Sequence, residues 1–266
     1  MQPPVAAVIE AHRTLERLVA SLSDQQVAEA SALPGWSRGH VLAHLTDNAR
    51  MFARLAEHAL RGELVAGYDG GVDERNAIIE TTAGRSAAEH RGQLAAHTAG
   101  LEASWARATD VDWSRPVTFR NANLAATVFA RWREAWIHMV DLELGVRPDN
   151  WPEDLAAHTI DFLLGRLPAG ARLRAEDVGR QWSAGDGPPG AVVTGSLRDL
   201  AAWLAGRTPV VSPAAAEELP DLGPWPPHPP APRPPATSSP GRGVGHADPG
   251  RRTAQELPES PRSSVT

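Results

Sequence analysis

Four long stretches of this chain repeat apolar residues at intervals of three or four, and that spacing limits the folds open to it more than any other feature. The first covers about residues 4–22, where Val5, Val8, Ile9, Leu15, Leu18, Val19 and Leu22 mark one helical stripe. Leu33-Pro34-Gly35-Trp36 then reads as a turn, and Ser37 as the N-cap of a long helix reaching about Leu60 and stopping near Gly62. Ser86 and Glu89 form a capping-box pattern that opens a third helix through about Ala108. A fourth covers about residues 124–144, with Gly145 as its stop. Between the second and third, residues 68–71 are loop-like and 72–81 predict a short helix. Four long helices on short or moderate loops predict a mainly α chain built on a four-helix bundle.

The pattern changes past the bundle. Pro116 breaks the connection before the fourth helix, and residues 117–119 read as extended. Asn150-Trp151-Pro152 starts a new helix that continues over 154–167. Residues 171–177 and 178–184 alternate, Gly185-Asp186-Gly187-Pro188-Pro189-Gly190 is turn chemistry, and 191–194 reads as a third strand. Ser196 caps a last helix with Asp199 near its positive end, and Gly206 ends it. The organisation expected is a helical bundle over 1–148, a small α+β domain over 149–225 and a disordered proline-rich tail over 226–266.

Composition removes several classes of function. The net charge of -6 gives no general reason to expect nucleic acid as a partner. No window approaches eighteen apolar residues and residues 1–10 lack a basic region before an apolar run, so neither a membrane span nor a signal peptide is read. With no cysteine there is neither a disulfide framework nor a thiolate metal ligand. The expectation is a cytoplasmic protein, monomeric by preference. No Gly-rich phosphate loop follows a strand, and no serine sits in a Gly-x-Ser-x-Gly elbow.

Candidate chemistry lies on two helices. Glu134 and His138 are four positions apart and project from one helix face, while His44 comes from another helix. Two imidazoles and a carboxylate from facing helices can hold a metal with one position open. Spacing alone does not select these three among ten histidines, for His40 and His44 are also four apart, and Glu-x-x-x-His serves equally as a helical charge pair. Asp141 suits either orientation of a ligand histidine or solvation at the helix end. Trp132, Trp136 and Met139 read as core or pocket wall, Trp36 as a packing plug, and Arg131 and Arg133 as solvent-exposed.

Three segments then resemble one family. Leu33-Pro34-Gly35-Trp36-Ser37-Arg38-Gly39-His40-Val41-Leu42-Ala43-His44-Leu45, Tyr68-Asp69-Gly70-Gly71, and Arg133-Glu134-Ala135-Trp136-Ile137-His138-Met139-Val140-Asp141-Leu142 are similar to the mycothiol-dependent maleylpyruvate isomerases. The similarity extends over about residues 4–225, including 195–207 and 218–225; the proline-rich tail after Trp225 departs from it. The resemblance implies a DinB-like four-helix bundle followed by a small α+β domain. It implies a divalent metal, typically zinc, on His44, Glu134 and His138, and an essential arginine matched best by Arg75; His40 is then the runner-up ligand, expected to be structural or to lie beside the ligands. It also implies mycothiol as the thiol this chain lacks, with reversible thiol addition turning maleylpyruvate into fumarylpyruvate. A mycothiol S-transferase and a non-catalytic metal-binding bundle share these motifs.

Overall fold

The computed structural model of the protein describes residues 2–226. The expected tail therefore lies outside the described residues, apart from Pro226. Four helices form the bundle: α1 (Val5–Val19), α3 (Arg38–Leu60), α5 (Ala87–Trp105) and α6 (Leu124–Asp141). α1 and α3 each pack against both α5 and α6. Their apolar stripes meet in a core that includes Leu15, Leu45, Phe52, Leu94, Trp105 and Val128. The caps work as the sequence predicts. The Ser37 hydroxyl accepts from the His40 amide, and the His40 ring closes the box back onto the Ser37 amide. Ser86 and Glu89 form the same reciprocal pair. Among the described residues no helix is long and apolar enough to cross a membrane.

Two short helices fill gaps between the long ones. α2 (Asp24–Ala28), opened by a Ser23–Gln26 capping box, escaped the sequence reading because five residues show no periodicity. α4 (Gly71–Thr82) lies against α3. Gly39, in the first turn of α3, permits a close approach there: a Cβ at that position would meet the Ala83 carbonyl oxygen at 2.2 Å.

Two expectations need correction. Of residues 117–119, expected to be extended, Thr118 and Phe119 are turned instead, while Pro116 forms an isolated antiparallel bridge with Asn123. Phe119–Asn121 form a 3-10 turn with Arg120 (φ 53°) and Asn121 (φ 51°) left-handed. The Val117 amide bonds the Ala122 carbonyl and the Leu124 amide bonds that of Arg115, so the loop closes on itself and joins no sheet. α6 ends at Asp141, three residues early, because Glu143 already turns left-handed (φ 51°) before Gly145.

The chain after the bundle holds α7 (Glu153–Leu163), α8 (Leu197–Leu204) and a sheet of order β2-β1-β3-β4. β1 (Arg172–Ala175) pairs antiparallel with β2 (Arg180–Ser183) and parallel with β3 (Val192–Gly195), and β3 pairs antiparallel with the two-residue β4 (Ala214–Ala215). α8 covers β1 and β3 and packs on α7. Its C-terminus makes a left-handed cap: Gly206 has φ 69°, and the Arg207 amide reaches back to the Ala202 carbonyl. One continuous cluster of buried side chains runs from the bundle through Trp151 and Leu155 to Leu173 and Leu200. The chain is thus mainly α, a bundle with a small α+β part after it.

Candidate metal centre

α3 and α6 carry the site. His44, in the second turn of α3, is 7 % exposed. Glu134 and His138 stand on the α6 face opposite it. His44 Nε2 lies 2.8 Å from Glu134 Oε2, His138 Nε2 lies 3.4 Å from the same oxygen, and the two imidazoles meet edge-on with centroids 4.6 Å apart. One donor atom from each of the three side chains falls within 4.8 Å of the others. That is close enough for a single ion to reach all three, and among the described residues no further histidine or carboxylate joins the group.

The outer nitrogens of the two imidazoles are held differently. His138 Nδ1 is 2.8 Å from Asp141 Oδ2. Asp141, 1 % exposed, in turn accepts a two-pronged bond from Arg207, with Nε to Oδ1 at 2.8 Å and Nη2 to Oδ2 at 2.7 Å. The Arg207–Asp141 pair thereby turns His138 Nε2 toward the cluster, the usual arrangement behind a ligand histidine. His44 Nδ1 faces Arg75 Nη2 at 3.1 Å. A guanidinium only donates, so this network assigns the lone pair to Nδ1 and the hydrogen to Nε2, pointing at Glu134.

The electrostatics follow from burial set against partners. Burial pushes His44 down, and its bond to Glu134 does not offset this. Burial would raise Glu134, but the bonds from His138 and His44 win and hold it well below the usual carboxylate range. Burial would lower His138, yet Asp141 and Glu134 outweigh it and hold the ring above its ordinary value of 6.5. For Asp141 burial again opposes, and the bonds from His138 and Arg207 bring the carboxyl below 3.8. A proton on His138 and a cation at the cluster therefore compete for one place.

A pocket of about 300 Å³ opens over the three donors. Trp36, Phe119, Ile137, Phe162 and Trp225 supply apolar wall, and Arg75, Arg120, Arg133 and Arg207 the charge. Trp36 stacks on His40 at 6.0 Å and tilts against His44 at 6.1 Å. His40 itself faces away: its Nδ1 serves the helix cap and its Nε2 lies 3.5 Å from Glu80. Trp132, Trp136 and Met139 are buried, as expected.

The arginines of α6 depart from expectation. Neither Arg131 nor Arg133 is solvent-exposed, at 0 % and 7 %. Arg131 points into the bundle, bonding His12 Nε2, the Leu45 carbonyl and Asn48 Oδ1 at 2.8–3.0 Å. Arg133 lines the pocket with Ala130, Glu134 and Ile137, a spacing that marks one helix face and so was available in the sequence. Arg120, Arg207, Phe162 and Trp225 reach the pocket from loops and other helices, and no local signal foretells that.

Fold and site together define a helical-bundle protein with an α+β appendage and an open two-histidine, one-glutamate cluster between two bundle helices. The chain belongs to the mycothiol maleylpyruvate isomerase N-terminal domain family, whose model matches residues 8–143. A crystal structure of the mycothiol-dependent maleylpyruvate isomerase is similar in fold, with a TM-score of 0.75 and 24 % identity over 83 % of this chain and 95 % of that one. A structure of a histidine-to-alanine mutant of that enzyme matches with the same figures. No curated protein matches the chain in sequence.

Proposed function

We propose that this protein is a mycothiol-dependent isomerase that converts maleylpyruvate to fumarylpyruvate with the help of a divalent metal, zinc by the chemistry of the donor set. The convergence of His44, Glu134 and His138 within 4.8 Å carries the reading. It gains from family membership and from the absence of cysteine, which leaves any sulfur nucleophile to a small molecule. The three side chains fit a zinc ion: borderline imidazole and carboxylate donors, one imidazole already braced through its outer nitrogen, and room left for a ligand. A divalent ion held by these three side chains would lower the pKa of a thiol or polarise an oxo-acid carbonyl, and a thiolate that adds to the conjugated double bond, allows rotation and leaves again would complete the isomerisation.

The chain's own residues prepare that chemistry. Asp141 and Arg207 keep a proton on His138 Nδ1 and leave Nε2 as donor. Glu134 supplies one negative charge against the cation. Arg75 cannot keep its bond to His44 Nδ1 once His44 Nε2 serves as a ligand, because a neutral imidazole then carries its proton on Nδ1 and two donors would face each other. Loading the site therefore frees the Arg75 fork for a substrate carboxylate. The apolar wall of Trp36, Ile137 and Phe162 excludes water from the reacting carbons.

The test is turnover by the zinc-loaded protein with mycothiol, offered maleylpyruvate and, separately, a generic electrophile. Isomerisation that rises with added thiol and vanishes in Glu134→Ala supports the proposal. Isomerisation equally fast without thiol sinks the adduct mechanism. Thiol consumed by the electrophile with no isomerisation replaces the isomerase with an S-transferase.

A further inference from the structure

Arg133 is a buried cation that feels the charge of Glu134 but makes no ion pair with it. It is 7 % exposed, and among the described residues no carboxylate lies within ion-pair distance of its guanidinium. Its neighbours are a histidine and an aromatic ring: Nη1 lies 2.5 Å from His158 Nε2, and the guanidinium carbon sits 3.7 Å from the centroid of Phe162. Burial and the nearby Arg133 push His158 down to about 4, so the ring is neutral near pH 7 and accepts a hydrogen bond without balancing the charge. Taking a guanidinium out of water with no counter-ion is costly; Arg131 meets that cost with three acceptors inside the bundle, whereas Arg133 has one neutral ring nitrogen and lies on a pocket where an anion can reach it.

What surrounds Arg133 says what that something is. It lines the same pocket as the histidine–glutamate cluster, and Glu134 is the sole carboxylate among the lining residues, against Arg75, Arg120, Arg133 and Arg207. Glu134 is committed to His44 and His138, and Arg207 is neutralised by Asp141. A positive excess remains, with Arg75 on α4 and Arg133 on α6.

We propose that Arg133 anchors one carboxylate of a small dianionic substrate whose other end is served by Arg75, with His158 and Phe162 of α7 holding the guanidinium in place. The inference rests on reading this pocket as the substrate site, and it adds a residue and a charge requirement to that reading. It also gives α7 a part in recognition that the bundle alone cannot supply. The competing role for Arg133 is that of a strut joining α6 to α7.

Calorimetric titration of the zinc-loaded, full-length protein with maleate and with acrylate separates the two. The anchor requires that wild type bind maleate more tightly than acrylate. It requires that Arg133→Met weaken maleate by about tenfold or more, the worth of a lost charge-assisted pair, and acrylate much less. It also requires that the variant's thermal midpoint stay level or rise, since a buried charge has been removed. Arg133→Lys, which keeps the charge but not the fork, should fold normally and lose maleate affinity by several-fold. A lowered midpoint with unchanged maleate affinity in Arg133→Met overturns the proposal, as does wild-type maleate affinity in Arg133→Lys or no maleate binding by wild type. Binding through Arg133 without thiol-dependent turnover overturns only the isomerase reading. Turnover with maleate affinity indifferent to Arg133 overturns only this one.

Discussion

Replacing Arg207 with methionine tests how the α+β part supports the candidate metal centre. In the native chain Asp141 is 1 % exposed and receives two bonds from Arg207, at 2.8 and 2.7 Å, besides its contact with His138. Arg207→Met leaves that buried carboxylate with the imidazole alone. Removing one partner of a buried ion pair costs about 3 kcal/mol at the low end, and the low end applies because His138 stays and Arg207 is itself 18 % exposed. For a domain of this size that corresponds to a fall in thermal midpoint of about 6–12 °C. The sign of the pH dependence follows from Asp141. Its carboxyl is held below 3.8 in the folded chain, so its stabilisation is present above the unfolded value and is lost as pH falls through the folded one. The deficit of the variant should therefore be full at pH 7 and shrink below about pH 4. Urea unfolding in the presence of chelator, across that range, measures it without metal. The double variant Asp141→Asn with Arg207→Met should recover part of the loss, since no charge is then left unpaired. An unchanged urea midpoint for Arg207→Met at pH 7, or a double variant that loses as much as the sum of the singles, would refute the reasoning.

Three further outcomes follow from the same geometry. Alanine at His44, Glu134 or His138 should each lower the zinc content of purified protein; elemental analysis showing unchanged stoichiometry in all three would remove the site. Zinc affinity should fall as pH drops below the raised value of His138, by about tenfold per unit while one proton is displaced, as read by chelator competition. Gly39→Ala should destabilise the fold by about 1–3 kcal/mol although alanine favours helix, because its Cβ would meet the Ala83 carbonyl oxygen at 2.2 Å; a stabilised variant in thermal unfolding would show that α4 yields freely.

The long helices were legible in the sequence because their signals are local. Ser37, Ser86 and Ser196 each cap the helix they precede, and the apolar stripes of α1, α3, α5 and α6 set which faces meet. Gly62 and Gly206, both left-handed, stop their helices where expected. Periodicity also placed Glu134 and His138 on one face. It failed where signals were short or non-local: α2 has five residues, β4 has two, and the loop at 119–121 takes its shape from backbone bonds between its own ends.

The site divides along the same line. Residue types and spacing within α6 made Glu134 and His138 candidates, and the same helix face carries Arg133. Spacing left His44 and His40 open and the family resemblance favoured His44; the packing of α3 on α6 brings His44, not His40, to Glu134, because the two lie one turn apart and differ in which neighbour they meet. His40 turns back to the cap of its own helix, and His44 meets Glu134 across ninety residues of chain. Exposure was likewise beyond the sequence. An arginine on an amphipathic helix is solvated by default, yet Arg131 and Arg133 are enclosed because α1 and α3 close over one and α7 over the other. Arg207 reaches Asp141 from sixty-six residues away, which no local pattern records. Helix ends and stripes come from interactions among near neighbours, whereas burial, pairing and the meeting of His44 with Glu134 and His138 depend on which surfaces the folded chain brings together.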